Sequence, residues 1–401
     1  MSEPVSLESR IKIIDILRGF ALLGIAMVHF TEQYYAGQAP EIHANLTAKT
    51  LADQIVMGFI GIFIQGKFYM IFSFLFGLSF FIQSEKSADT GSFILRFTWR
   101  LLILFAIGLL HHLHYRGDIL TIYAVLGVLL ILFYKLPDRA LLMVGLILIL
   151  NLPGFSLRLY EGIRNVSGSF TTDDQASLLA YYDTLKTGSY FSILAANWKE
   201  LIPKFEFQVL SGRIYITTGL FLLGLYAGRK KFFERWMDGI PFIQKLRKTA
   251  WWILAGCVVF VLVILGVTQV LHLELNQSLQ FAIGGLAYDV FNACLATIYV
   301  TSILLLYRQE KWRHRWMRFY AVGRMGLTTY LVQSVLGVLI FFSVGLGWLN
   351  ESGAVICLLI GLAVYVLQVY GSEWWMKRFR YGFFEWLWRS LTYLKWQEFR
   401  R

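Results

Sequence analysis

Residues 13–32 read IIDILRGFALLGIAMVHFTE: apolar throughout except for Asp15, Arg18, His29 and the closing Thr31 and Glu32. About 20 helical residues cross the ~30 Å of hydrocarbon in a bilayer, so this stretch has the length and composition of a span. A charge at the bilayer centre costs about 3 kcal/mol on insertion scales, so Asp15 and Arg18 must face protein or a wet cavity. At about 100° per residue, Asp15, Arg18 and His29 fall in a stripe about 60° wide. Arg18 and His29 lie ~16 Å apart along the axis, so one helix face presents a guanidinium near one end and an imidazole near the other.

Nine further apolar stretches follow, near 62–83, 96–115, 117–134, 138–153, 207–228, 249–270, 280–306, 320–345 and 352–371. The chain is 57% hydrophobic and 15% charged, and its mean hydropathy of +0.58 exceeds what a soluble domain tolerates. The expected fold is an all-α polytopic membrane protein, a bundle of about ten transmembrane helices. Residues 1–371 form the transmembrane domain, and an outer segment at 154–206 is expected to hold interfacial helices. Residues 372–401, rich in Trp, Arg and Phe, are expected to form an amphipathic cytoplasmic tail.

Lys and Arg set the orientation. With the N-terminus inside, alternate loops and the tail hold 26 of the 37 basic residues and the outer segments seven. Both termini are therefore expected to be cytoplasmic. Basic rims facing anionic headgroups account for the net charge of +12, and a nucleic-acid partner is not expected. The first stretch lacks a cleavage-type exit and is expected to remain as a helix. Cys257, Cys294 and Cys357 all lie in apolar spans and read as packing residues.

The polar residues inside the spans divide into two layers. Arg18 and Arg324 lie toward the cytoplasm and suit phosphate; Thr328 is expected on the Arg324 face. His29, Lys67, His111, Asp118 and Arg213 lie toward the outside. In IGLLHHLHYRGDIL, Asp118 is positioned to orient a histidine, as in acid–base dyads. His-x-x-His followed by a carboxylate also offers three metal ligands, but this spacing is no zinc signature and no metal is expected. Asp289 and Asn292 sit mid-span and require buried partners. The two layers fit an enzyme taking an anionic cytoplasmic donor to an outer acceptor. They equally fit a transporter or channel for a small anionic solute.

RIKIIDILRGFALLGI, GKFYMIFSFLFGLSF, IGLLHHLHYRGDILTIYAVLG, TTGLFLLGLYAGRKKFF, GRMGLTTYLVQS and YGFFEWLWRSLTY occur in the order found in the bacterial YeiB-like family, which the chain resembles over nearly its whole length. That family looks distantly related to the transmembrane acyltransferases, among them heparan-alpha-glucosaminide N-acetyltransferase. The resemblance implies a multipass protein of the bacterial cytoplasmic membrane. It implies an acyl group moving from cytoplasmic acyl-CoA, acetyl-CoA being the first choice, to a hydroxyl or amine of an outer small-molecule, sugar or lipid acceptor. Under it, Arg18, Arg324 and Thr328 belong to the donor site. His111, or else His29, is the base, with Asp118 orienting it, and Lys67 or Arg213 holds the oxyanion. Two departures stand out: His29 occupies a position that is often Asn, and Gly382-Phe383-Phe384-Glu385 replaces a usual Gly-Pro-x-Glu. Dimerisation is left open.

Overall fold

The computed structural model describes residues 7–37, 39–43, 45, 47–85, 87, 89–163, 175–270 and 277–401. Lys86 and Arg164, counted among the basic residues of the loops, and Asp173 and Asp174 of the outer segment at 154–206 lie outside them. The chain folds into helices α1 (Leu7–Thr31), α2 (Leu51–Phe59), α3 (Phe68–Glu85), α4 (Thr90–His114), α5 (Leu120–Phe133) and α6 (Asp138–Ile149). Then come α7 (Leu152–Ile163), α8 (Gln175–Thr187), α9 (Tyr190–Lys199), α10 (Leu201–Leu210), α11 (Arg213–Arg229), α12 (Ile240–Val270) and α13 (Gln277–Tyr307). The last four are α14 (Glu310–Arg324), α15 (Gly326–Phe341), α16 (Ala354–Arg378) and α17 (Phe383–Tyr393). Among the described residues there is no strand, only one isolated bridge between Phe379 and Arg400. This is a helical membrane protein.

Six helical segments are long and apolar enough to cross a bilayer, and nine if each of three bent pairs counts as one span. The stretch at 117–134 contributes only the 14-residue α5. The bends have local causes. Between α6 and α7 the chain turns 41° at Asn151, whose φ is +52°. Between α10 and α11 it turns 71° at Gly212, φ +77°, a left-handed conformation that glycine adopts without a Cβ penalty. Between α14 and α15 it turns 79° at Met325. That last break corrects one expectation: Arg324 and Thr328 stand on different helices and share no face.

Small residues set the closest crossings. A Cβ on Gly19 would strike the backbone of Phe319, and one on Gly323 would strike the backbone of Asp15. Helices α1 and α14 thus meet backbone to backbone, as small residues permit in membranes. Gly77 and Gly224 do the same for α3 against α11. Gly323→Val is therefore expected to destabilise the protein by about 1–3 kcal/mol through overpacking, read as a lower thermal midpoint in detergent.

The segment at 154–206 is helical where described, and Tyr181, Tyr182, Leu185 and Ile193 join the main core. The tail is not separate from the bundle. Helix α16 runs on to Arg378, and α17 folds back against α4 and α15. The Trp388 indole donates to the Arg100 carbonyl at 2.9 Å, and that of Trp99 donates to the Leu391 carbonyl at 3.0 Å.

Candidate functional site

A cavity of about 1600 Å³ runs through the bundle. At one end, the arginine end, its walls carry Arg18, Arg100 and Arg324. Apolar side chains such as Leu22, Phe72, Phe76 and Leu104 line the middle. At the other, the histidine end, stand His29, Glu32, Asp118, Lys204 and Arg213. Ligand pockets are commonly 300–1,000 Å³, so this one has room for a large or a two-part occupant.

The arginine end is built on three helices. Arg18 on α1 donates to Asp15 Oδ1 at 2.7 Å and to the Ser79 hydroxyl, so much of its charge is already engaged. Arg100 on α4 lies 3.7 Å over the Trp388 ring, and Arg324 closes α14 with one bond, 3.2 Å, to the Arg380 carbonyl. Neither Arg100 nor Arg324 has a carboxylate partner among the described residues. Arg100 was absent from the expected site because it reads as one more residue of a basic cytoplasmic rim.

Thr328 is placed differently from expectation. Its hydroxyl donates to Glu385 Oε2 at 2.5 Å and accepts from the Phe384 amide at 3.0 Å. Glu385 Oε1 also accepts from the Leu327 and Thr328 amides at 2.6 and 3.1 Å. A carboxylate here satisfies the orphan N–H groups that the break at Met325 creates at the start of α15. Thr328 is thus part of the joint between α15 and α17 and is not among the cavity's lining residues. Glu385→Ala is expected to cost about 1–2 kcal/mol, and Glu385→Gln less because an acceptor oxygen remains; thermal unfolding of both variants checks it.

At the histidine end, His111 Nδ1 lies 2.8 Å from Asp118 Oδ1. Asp118 also accepts from the Leu120 amide (3.1 Å) and from the Thr121 amide and hydroxyl (2.9 and 2.7 Å), and lies 3.6 Å from Lys204 Nζ. An ionised Asp118 has no proton to donate and can only accept, so it fixes the Nδ1–H tautomer and leaves Nε2 as the lone-pair nitrogen. His111 Nε2 is buried and has no hydrogen-bond partner among the described residues. His29 Nδ1 is in the same condition. Both imidazoles pack on the same two rings: Tyr330, at 6.3 Å from His29 and 5.1 Å from His111, and Tyr115, at 5.4 and 5.9 Å. The structure therefore brings the two alternative bases together.

His112 and His114 do other work. Lys204 donates to His112 Nδ1 at 3.1 Å and to the Thr121 hydroxyl at 2.7 Å. His114 engages the Leu110 carbonyl and the Tyr190 hydroxyl, at 2.9 and 2.8 Å, so both its nitrogens are used away from Asp118.

The two candidate oxyanion cations separate. Lys67 is fully buried, is not among the lining residues, and donates to the Gly61 and Gln65 carbonyls at 3.0 and 2.8 Å. Those carbonyls are freed where α2 passes through a π-turn, Ile60–Ile64, and breaks before α3, so Lys67 satisfies backbone that lipid cannot. Arg213 opens α11, lines the cavity, and lies over the rings of Phe207 (5.3 Å) and Tyr69 (5.9 Å). Asp289 finds its partners in Asn151 at the α6–α7 bend, 2.7 Å, and Arg158 on α7, 3.7 Å.

Comparison with known proteins fits this geometry to a family. Residues 227–395 match the family described as Protein of unknown function (DUF418). The uncharacterized protein YxaH of Bacillus subtilis (strain 168) is 31% identical, covering 98% of this chain and 97% of its own. The chain belongs to this YeiB-like family. The uncharacterized protein YeiB of Escherichia coli (strain K12) is 26% identical over 94% of this chain and 95% of its own. An uncharacterized 39.9 kDa protein from the amylase 3′ region of Bacillus acidopullulyticus is 29% identical over 98% and 96%. The YeiB-like motifs interlock in space: Gly19 of LRG meets the α14 helix that ends in GRMG, and Glu385 of YGFFE caps the helix carrying LTTY. Gly382 is the N-cap of α17 and Phe383 its first residue. Proline is tolerated at that position, so Gly-Phe-Phe-Glu and Gly-Pro-x-Glu suit the same kind of turn.

Proposed function

We propose that this protein is a transmembrane acyltransferase that takes an acyl group from acyl-CoA at the arginine end and passes it to a hydroxyl or amine acceptor at the histidine end. The observation that carries the reading is the cavity that joins three arginines to His29 and Asp118, with His111, bonded to Asp118, in the wall behind the lining residues. Arg100 and Arg324, with Arg18 behind them, present donors to the CoA phosphates. The apolar middle matches an acyl chain or thioester in transit. His111 Nε2 takes the acceptor's proton as the acceptor attacks the thioester carbon, Asp118 stabilises the imidazolium that forms, and Arg213 faces the developing oxyanion; the C–S bond then breaks and the proton passes to the departing CoA thiolate.

Ten spans, counting α5 and the three bent pairs, with both termini cytoplasmic complete the reading. In this reading the arginine end faces the cytoplasm of a bacterial cell, where acyl-CoA is, and the acceptor lies outside. The same cavity would serve a carrier for a small anionic solute. What favours chemistry over passage is a buried, charge-oriented histidine with an unused nitrogen.

Thermal-shift titration of the detergent-purified protein with acetyl-CoA, longer acyl-CoAs and free CoA tests the donor. A ligand at 100 times its Kd adds about 2.7 kcal/mol to stability. Saturable stabilisation by an acyl-CoA is expected; none with any CoA species would set the acyl-transfer reading below transport.

A further inference from the structure

At the histidine end the cavity has a side door. Three of its lining residues, Phe207 on α10 and Phe281 and Tyr288 on α13, are also 51%, 58% and 44% exposed. A side chain that both lines a cavity and is half exposed marks a mouth. Helix α13 is long and apolar enough to span a bilayer and α10 belongs to a bent apolar pair with α11, so an opening between them is one that lipid can reach. The α13 wall carries glycines where it would otherwise close. A Cβ on Gly284 would meet no atom within 4 Å, and one on Gly285 would strike the Arg158 guanidinium.

Behind the mouth is polar chemistry of which the acyl-transfer reading uses only Arg213. The Arg158 side chain is 10% exposed; its Nη2 donates to the Ser211 carbonyl at 2.5 Å and faces Asp289, while its Nη1 is buried with no hydrogen-bond partner among the described residues. Arg213 lines the same cavity without a carboxylate partner among the described residues, and Asp289 lies in the field of both guanidiniums. Carboxylates are close as well: Glu206 lines the cavity, and Glu32, bonded to Gln65 Nε2 at 2.9 Å, lies in the field of Arg213. A simple anion would satisfy the guanidiniums and be opposed by the glutamates. A headgroup carrying both signs satisfies both sets.

We infer that the mouth between α10 and α13 admits a zwitterionic phospholipid from the leaflet at the histidine end. Its phosphate bonds Arg158 and Arg213, its ammonium faces the glutamates, and its tails lie along Phe207, Phe281 and Tyr288. Binding here does not depend on the acyl-transfer reading. Where both hold, the headgroup amine of an aminophospholipid is the acceptor, attacking after its ammonium has given one proton to a facing glutamate.

The test reconstitutes the full chain in phosphatidylglycerol nanodiscs containing a minor fraction of phosphatidylethanolamine with a diazirine in one acyl chain. Irradiation and peptide mapping then locate the adducts. They are expected to concentrate on peptides bearing Phe207, Phe281 and Tyr288. Gly284→Trp, whose side chain fills open space, is expected to abolish them. Arg213→Gln is expected to reduce them about tenfold, the loss of one charge-assisted hydrogen bond, and Arg213→Lys to reduce them less. Adducts spread evenly over the exposed faces of α12 and α13 and unchanged by Gly284→Trp would mean ordinary boundary lipid and overturn the inference. Equal labelling by a diazirine phosphatidylglycerol would overturn the zwitterionic headgroup. Because no acyl-CoA is present, neither failure touches the donor reading, and absence of a thermal shift with CoA leaves this site standing.

Discussion

Replacing His111 by alanine is expected to lower acyl transfer by about 10²–10⁴-fold while leaving the protein folded. The side chain is buried and makes one hydrogen bond, to Asp118. Asp118 keeps its bonds from Leu120 and Thr121 when the imidazole is removed, so the stability cost is about 1–2 kcal/mol. Asp118→Ala is the wrong probe. It would uncap α5 and strip Lys204 of its only nearby carboxylate among the described residues, and breaking a buried ion pair costs about 3–5 kcal/mol. Asp118→Asn preserves the shape and removes the charge that stabilises the imidazolium. Its expected signature is a fall in kcat with little change in the apparent KM for donor. Initial rates in proteoliposomes, paired with thermal unfolding of each variant, read both effects. If His111→Ala keeps the full rate while His29→Ala loses it, the base is His29, 5.4 Å from the same Tyr115 ring.

The second large effect lies at the other end. Arg100→Gln and Arg324→Gln are each expected to weaken acyl-CoA binding by about 10–100-fold, because a hydrogen bond to a charged group contributes about 1.5–3 kcal/mol. Neither guanidinium is committed to a carboxylate, so its removal leaves no buried charge behind. Arg18→Gln is expected to behave otherwise. It leaves Asp15 without its 2.7 Å partner on a buried helix, so its main result is lost stability, with a smaller change in affinity. Isothermal titration with acetyl-CoA and thermal unfolding of the three variants separate the two patterns. Equal affinity in Arg100→Gln, Arg324→Gln and the parent protein would remove the arginine end from the donor site.

Helix positions were legible because hydrocarbon demands about 20 apolar residues and every backbone group bonded within the segment. The polar residues inside those segments were legible as costs, and His111, Asp118 and Arg18 were found on that ground. What a cost does not reveal is who meets it. Lys67 and Arg213 look alike in sequence; one is spent on the carbonyls of a π-turn and the other faces the cavity. Thr328 looked available and is consumed by Glu385, a residue that reads as part of a tail. Lys204 and Glu32 carried no motif, and the chain folded them against Asp118 and Gln65.

The sequence by itself determined that this is a helical membrane protein of the YeiB-like family with arginines grouped at one depth and histidines at another. Those properties follow from composition, from periodicity and from motifs contiguous in the chain. The tertiary structure alone decided that the two depths share one cavity, that the helix after Arg324 breaks, and that α10 and α13 leave a lateral opening. Each depends on distances between residues far apart in sequence, and hydropathy, which measures the environment of a residue rather than its neighbours, is silent about those.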